Sequence, residues 1–169
     1  KVYLIPNGYD SDIFKKTGCI KENILKKYGI TKKFKNIISF AGKFTEIKGI
    51  DTLIKAAKIY ENNDILTILA GDGELMDYMK KLVNQLDVKN IIFLGNLAPI
   101  YLQEIFEIAD VSVVPSRSEA FGIVAIEAIA CGTPVVASRV GGLPSIINNE
   151  VGLTFDVENY AELAEKIMS

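Results

Sequence analysis

Two glutamates, Glu119 and Glu127, stand with seven residues between them in SEAFGIVAIEAIACGTPVVAS, Ser118 to Ser138, a stretch that is otherwise small and apolar. A solvated face would carry further charge after Glu119, whereas Glu127 has Ile126, Ala128 and Ile129 as neighbours. An ionised carboxylate buried among such residues without a partner is costly, and it either finds one or shifts its pKa. A lysine of the protein would serve, and so would a ligand diol gripped by both carboxylate oxygens. Glu119 falls just ahead of a helix start, where the dipole favours a carboxylate and capping of free N–H groups alone would account for it.

Cationic groups stand earlier in the chain. NIISFAG runs into KFTEIKG, which places Gly42-Lys43 at a strand exit and Lys48-Gly49 at the start of the next helix. Two ammonium groups converging on free helix N–H groups would cradle a diphosphate, and the plain alternative is a solvated lysine pair. The order G-x-x-x-x-G-K-[ST] is absent, so this is not a Walker loop. LAGDGELM supplies Gly71, Asp72 and Gly73 in a tight turn, with Met76 where a dinucleotide fingerprint needs a small residue. FLGNLAP offers Gly95 and Asn96, either as a backbone edge for a base or as an ordinary left-handed turn.

These loops need elements to hold them. Continuous apolar runs predict strands at Asn36–Ala41, Ile65–Ala70, Ile91–Leu94, Val111–Val114 and Pro134–Ala137, the pattern of strands buried on both faces. Helical periodicity covers Ile50–Tyr60, Glu74–Leu86, Ile100–Ile108, Phe121–Cys131 and, after a short run Gly152–Phe155, Glu158–Met168. The alternation predicts the α/β class: a doubly wound, mostly parallel sheet with helices on both faces. Ligands of such sheets sit outside the carboxyl ends of the strands, where all of these loops lie. From Phe121 to Glu127 a helix rises about 9 Å, so one elongated ligand could touch both carboxylates.

Composition narrows the chemistry. The 169 residues are 49% hydrophobic and 24% charged, enough for one core and one domain. A net charge of -2 argues against nucleic acid or an anionic surface bound through bulk charge. The chain contains no histidine, which excludes a Ser-His-Asp system and any histidine metal site within it. Cys19 and Cys131 are far apart and fit a reducing, cytoplasmic setting. The opening KVYLIPNGYDSDIFKK carries the turn signal Pro6-Asn7-Gly8 and reads as a lead-in, residues 1–16, from an upstream domain.

Taken in order, Gly42-Lys43, Lys48-Gly49, AGDGE, IIFLGNL, ADVSVVPSRSEAFGIVAIEAIACGTPVVAS and GGLPSII resemble the C-terminal, donor-binding half of the group 1 family of retaining glycosyltransferases with the GT-B fold. IPNGYDSDIF is similar to that family's connection from its N-terminal half. The resemblance implies a single Rossmann-like domain over 1–169 that holds a nucleotide-diphosphate sugar, with a glycan or lipid-linked acceptor bound by an absent N-terminal domain. It implies catalytic roles for Lys43 and Lys48 at the diphosphate and for Glu119 at the donor-sugar hydroxyls. Donor binding would fall to Gly42, Gly71, Gly73, Gly95, Asn96 and Leu97, to the backbone of Phe121, Gly122 and Ile123, and to Glu127 at the ribose. No metal or other cofactor is implied. A cytoplasmic setting fits it, with room for peripheral association of the full-length protein with the inner face of a membrane.

Two residues depart from the family pattern: Lys43 stands where arginine is common, giving a point charge for a bidentate fork, and Ser145 stands where glutamate is usual. Other readings are a noncatalytic nucleotide-sugar-binding module, a nicotinamide-dependent dehydrogenase, and a glycosidase using Glu119 and Glu127 about 5 to 9 Å apart. The dehydrogenase is disfavoured by Met76, and the glycosidase by a glutamate placed inside an apolar helix.

Overall fold

The computed structural model describes residues 7–169; Lys1 to Pro6, which begin the lead-in and include the first residue of its turn signal, lie outside them. Six strands form one sheet: β1 (Asn36–Ala41), β2 (Ile65–Ala70), β3 (Ile91–Gly95), β4 (Val111–Val114), β5 (Val135–Ser138) and β6 (Gly152–Phe155). Their order is β3-β2-β1-β4-β5-β6 and every neighbouring pair is parallel. The helices are α1 (Lys21–Lys27), α2 (Ile50–Tyr60), α3 (Met76–Gln85), α4 (Pro99–Ile108), α5 (Ile123–Ala130), α6 (Leu143–Ile146) and α7 (Tyr160–Met168).

Both faces of the sheet are covered, which is why its strands read as unbroken apolar runs. On one face Ile38, Phe40, Ile65 and Leu69 pack with Leu53, Ile54 and Ala57 of α2, Met79 and Val83 of α3, and Leu163 and Ile167 of α7. On the other, Ile37, Leu66 and Ile68 meet Leu25 of α1 and Ile105 of α4, while Ala41, Ala70 and Val114 meet Ala125 and Ala128 of α5. Successive residues of β1 point to opposite cores, as the two-residue strand period requires.

Three helices begin later than their periodicity predicts, and in each case a backbone feature intervenes. The Leu75 N–H donates to the Phe44 carbonyl, 3.1 Å away, which ties the Gly71–Leu75 loop to the exit of β1 and delays α3 to Met76. Gly122 adopts φ 95°, so α5 starts at Ile123 instead of Phe121. Asn159 accepts from the Glu162 N–H as an N-cap, which sets the start of α7 at Tyr160. The start of β5 moves from Pro134 to Val135; proline has no N–H to give the ladder. Two short helices, α1 and α6, are additional to the sequence expectation.

The described part of the lead-in is fastened to α4. Phe14 is buried against Phe106, their ring centroids 6.2 Å apart, and the Lys15 carbonyl accepts from Gln103 Nε2 at 2.9 Å. Glu107 then gathers the N–H groups of Thr17 (2.8 Å), Gly18 (2.5 Å) and Cys19 (3.2 Å), the Thr17 hydroxyl (2.7 Å) and Gln103 Nε2 (2.7 Å). Burial pushes the Glu107 carboxyl up, but the hydrogen bonds from Thr17, Gly18 and Gln103 outweigh it and hold the group at about 2.

A folded pKa below the unfolded value of 4.5 means that Glu107 adds stability above that pH and loses it as pH falls toward 2. Glu107→Gln, which removes the charge and keeps the shape, is expected to lower Tm by a few degrees at pH 7 and to flatten the stability loss between those two pH values. Denaturant titrations across that range check this; parallel acid limbs for the two proteins would contradict it.

Candidate functional site

The chain leaves β1 and β4, adjacent in the sheet, toward opposite faces, and the crevice that opens between such exits is where ligands of this architecture bind. A cleft of about 380 Å³ lies there. It is lined by Ala41 at the end of β1 with Gly42 and Lys43 after it, Ala70 at the end of β2 with Gly71 and Asp72 after it, Asn96 and Leu97 after β3, Leu102 of α4 and Val124 of α5. Of the residues named from the sequence, Gly42, Lys43, Gly71, Asn96 and Leu97 line this one cleft.

Gly73 and Gly95 stand behind that wall. Gly73 packs on the backbone of Phe44, and the Gly95 carbonyl accepts from the Gly71 N–H at 2.7 Å, so both shape the loops without lining the cleft. Ala41, Ala70, Leu102 and Val124 escaped the sequence reading. Nothing in an apolar strand end or an amphipathic helix marks which residue will border a cavity.

At the mouth of α5 the chain presents unused donors. The N–H groups of Phe121, Gly122 and Ile123 have no protein acceptor among the described residues. They precede or open a helix, where backbone donors are orphaned and the dipole is positive. Ile123, 39% exposed, is more open than the apolar pattern of α5 implies; only Ala125 and Ala128 of this helix are buried.

Glu119 does not cap α5, whose N-cap is Gly122 without a side-chain hydrogen bond. It turns instead to Lys48, in the 3₁₀ turn Glu46–Lys48, with Oε2 2.7 Å from Nζ and the Ser116 hydroxyl donating at 3.4 Å. Lys48 therefore does not simply join Lys43: Lys43 is exposed on the cleft, while Lys48 is paired with the glutamate. The backbone around Glu119 is held from below. Ser138 of β5 donates to the Ser116 carbonyl at 2.5 Å, and Gly142 N–H donates to the Glu119 carbonyl at 3.3 Å. A Cβ on Gly141 would stand 1.7 Å from that carbonyl, so the Gly141-Gly142 turn can approach only as glycine.

Glu127 sits three residues beyond Val124, on the same face of α5 as that cleft residue. It is half-buried, and among the described residues it makes no ion pair and no side-chain hydrogen bond. Burial alone pushes its carboxyl above the usual range. Among the described residues no lysine reaches it to make it a structural ion pair.

Comparison with known proteins places this geometry. Residues 20–169 match the family described as Glycosyl transferases group 1. An uncharacterized glycosyltransferase of Methanocaldococcus jannaschii is 44% identical over 133 residues, 78% of this chain and 34% of its own length. The fold is similar to that of Anabaena HepE in complex with UDP and glucose, with TM-score 0.83 and 27% identity over 96% of this chain and 45% of that one. It is also similar to the C-terminal domain of a glycosyl transferase group 1 family protein from Francisella tularensis, with TM-score 0.82 and 26% identity, covering 95% of this chain and 86% of that domain. The chain spans about a third of the length of the curated relative. With the match running through nearly every strand, helix and exit loop described above, the chain belongs to the group 1 glycosyl transferase family.

Proposed function

We propose that this domain holds the nucleotide-diphosphate sugar of a retaining glycosyltransferase, and that the protein transfers the sugar to a glycan or lipid-linked acceptor held by an N-terminal domain. The observation that carries the reading is Glu127: a half-buried carboxylate with no partner among the described residues, beside a cleft at the switch point of the sheet. A ribose supplies adjacent hydroxyls of the kind such a carboxylate lacks. The nucleoside would lie in the cleft against Gly71, Asn96 and Leu97, and the complex of HepE with UDP and glucose supports this class of donor.

The diphosphate would then lie over the start of α5, on the free N–H groups of Phe121, Gly122 and Ile123, with Lys43 beside it. Lys48, paired with Glu119 in the free protein, is drawn toward the phosphates, and Glu119 is released to the sugar hydroxyls. In the reaction the bond from the anomeric carbon to the phosphate oxygen breaks and a bond to the acceptor oxygen forms on the same face. The acceptor proton passes to the departing phosphate. Charge grows on that phosphate in the transition state, and the helix start, with the two lysines drawn up beside it, receives it. This needs no base from the chain and no metal. The whole protein is read as cytoplasmic, with peripheral contact to the inner face of a membrane where the acceptor is lipid-linked.

Calorimetry of the whole protein with UDP, GDP and ADP tests the reading. One of them is expected to bind, and Glu127→Ala is expected to weaken it at least about tenfold, the scale of losing a charge-assisted hydrogen-bond pair. Equal affinity of variant and parent would remove the ribose role. The raised pKa of Glu127 has a second consequence: its ionised form burdens the free fold at neutral pH, and the burden fades as pH falls below its folded pKa. Glu127→Gln is therefore expected to raise Tm of the ligand-free protein at pH 7 and to give little gain in acid, even as it weakens nucleotide binding.

A further inference from the structure

Arg117, two residues before Glu119, meets three separate segments of the chain. Its backbone N–H donates to the Ile47 carbonyl at 2.7 Å and its Nη1 donates to the Glu46 carbonyl at 2.7 Å. Nη2 lies 2.9 Å from the Asp51 carboxylate in the first turn of α2, and Nε donates to Glu158, ahead of α7, at 2.5 Å. Burial pushes the Asp51 carboxyl up, but Lys55 and Arg117 outweigh it and hold the group below its ordinary value. Glu46 and Ile47 are the two residues before Lys48, so the guanidinium and its own backbone grip the 3₁₀ turn that carries the ammonium group. From the other side, a Cβ on Gly49 would stand 2.1 Å from the Pro115 carbonyl, which presses the end of the same turn onto the loop bearing Glu119.

Arg117 does not line the cleft; it borders a separate hollow with Glu46, Asp51, Leu75, Tyr78 and Met79. We propose that Arg117 is a positioning residue for the donor diphosphate: it fixes the Glu46–Lys48 turn on the Glu119 loop and so sets where the Lys48 ammonium can reach. It rests on the reading of Lys48 as a phosphate-binding group. A planar fork donating in three directions suits this task, and a lysine at the same place could hold only part of it. The pair with Glu158, whose side chain is 59% exposed, is the weak arm; the two backbone carbonyls and Asp51 are the strong ones.

The experiment is a double-mutant cycle in nucleotide affinity on the whole protein, using UDP, or GDP or ADP if either is the nucleotide that binds, with Arg117→Ala, Lys48→Ala and both together. Arg117→Ala is expected to weaken diphosphate binding about five- to tenfold and to flatten its salt dependence, and to cost nothing further once Lys48 is alanine. The matching nucleoside, which has no phosphates, is expected to bind the variant and parent alike. Additive losses in the cycle, or equal weakening of the nucleoside, would show a general structural role and overturn the proposal. Arg117→Lys keeps a charge beside Asp51 if the alanine variant fails to fold, and the same loss of affinity is expected of it; full affinity in that variant would also overturn the proposal. If Lys48→Ala alone leaves binding unchanged, the phosphate reading of Lys48 falls and takes this one with it, whereas a loss in Lys48→Ala with none in Arg117→Ala rejects this one alone.

Discussion

The arrangement depends on one topological constraint: β1 and β4 are neighbours in the sheet but send the chain to opposite faces. All six strands are parallel, so every exit loop emerges at the same edge, and at this junction the loops diverge and leave a crevice. Loops from β1, β2 and β3 make one wall, and the helix after β4 makes the other. Residues from Ala41 to Val124 meet there because the order of the strands leaves them nowhere else to meet.

The two glutamates have opposite electrostatic conditions. Glu119 is satisfied, by a lysine arriving from 71 residues earlier, while Glu127 is left half-buried with nothing among the described residues to answer its charge. A fold gains nothing from the second arrangement, since desolvating an unpaired carboxylate opposes folding. The free N–H groups at the mouth of α5 are unsatisfied in the complementary sense. An anionic ligand bearing hydroxyls answers both deficits at once.

Much of the fold was legible because burial on two faces leaves a plain mark: β1, β2 and β4 fall where continuous apolar runs place them. Helix starts were less legible, since the left-handed Gly122 and the bond from Leu75 to Phe44 are decided by backbone conformation and by a distant strand. The helix α1 has Ile20 at its N-cap with no side-chain bond and so carried no capping signal, and α6, though Pro144 stands in its first turn, is four residues long, too short for a period to show. In the site, Glu127 could be singled out because its neighbours in sequence are apolar and offer no partner. The partnership of Glu119 with Lys48 could not, because it is a contact between loops of different strands; the same is true of Arg117, whose partners come from the turn before α2, from α2 itself and from the segment ahead of α7.

The fastening of the lead-in to α4 gives the domain a lever. Glu107 and Gln103 on that helix hold residues 15 to 19, and Leu102, adjacent to Gln103, forms part of the cleft wall. One helix thus has residues 15 to 19 tied to one stretch and a residue of the cleft wall beside it. Residues 15 to 19 and the cleft wall therefore share one helix with no loop between their points of attachment, so a displacement of that segment would be felt at the wall.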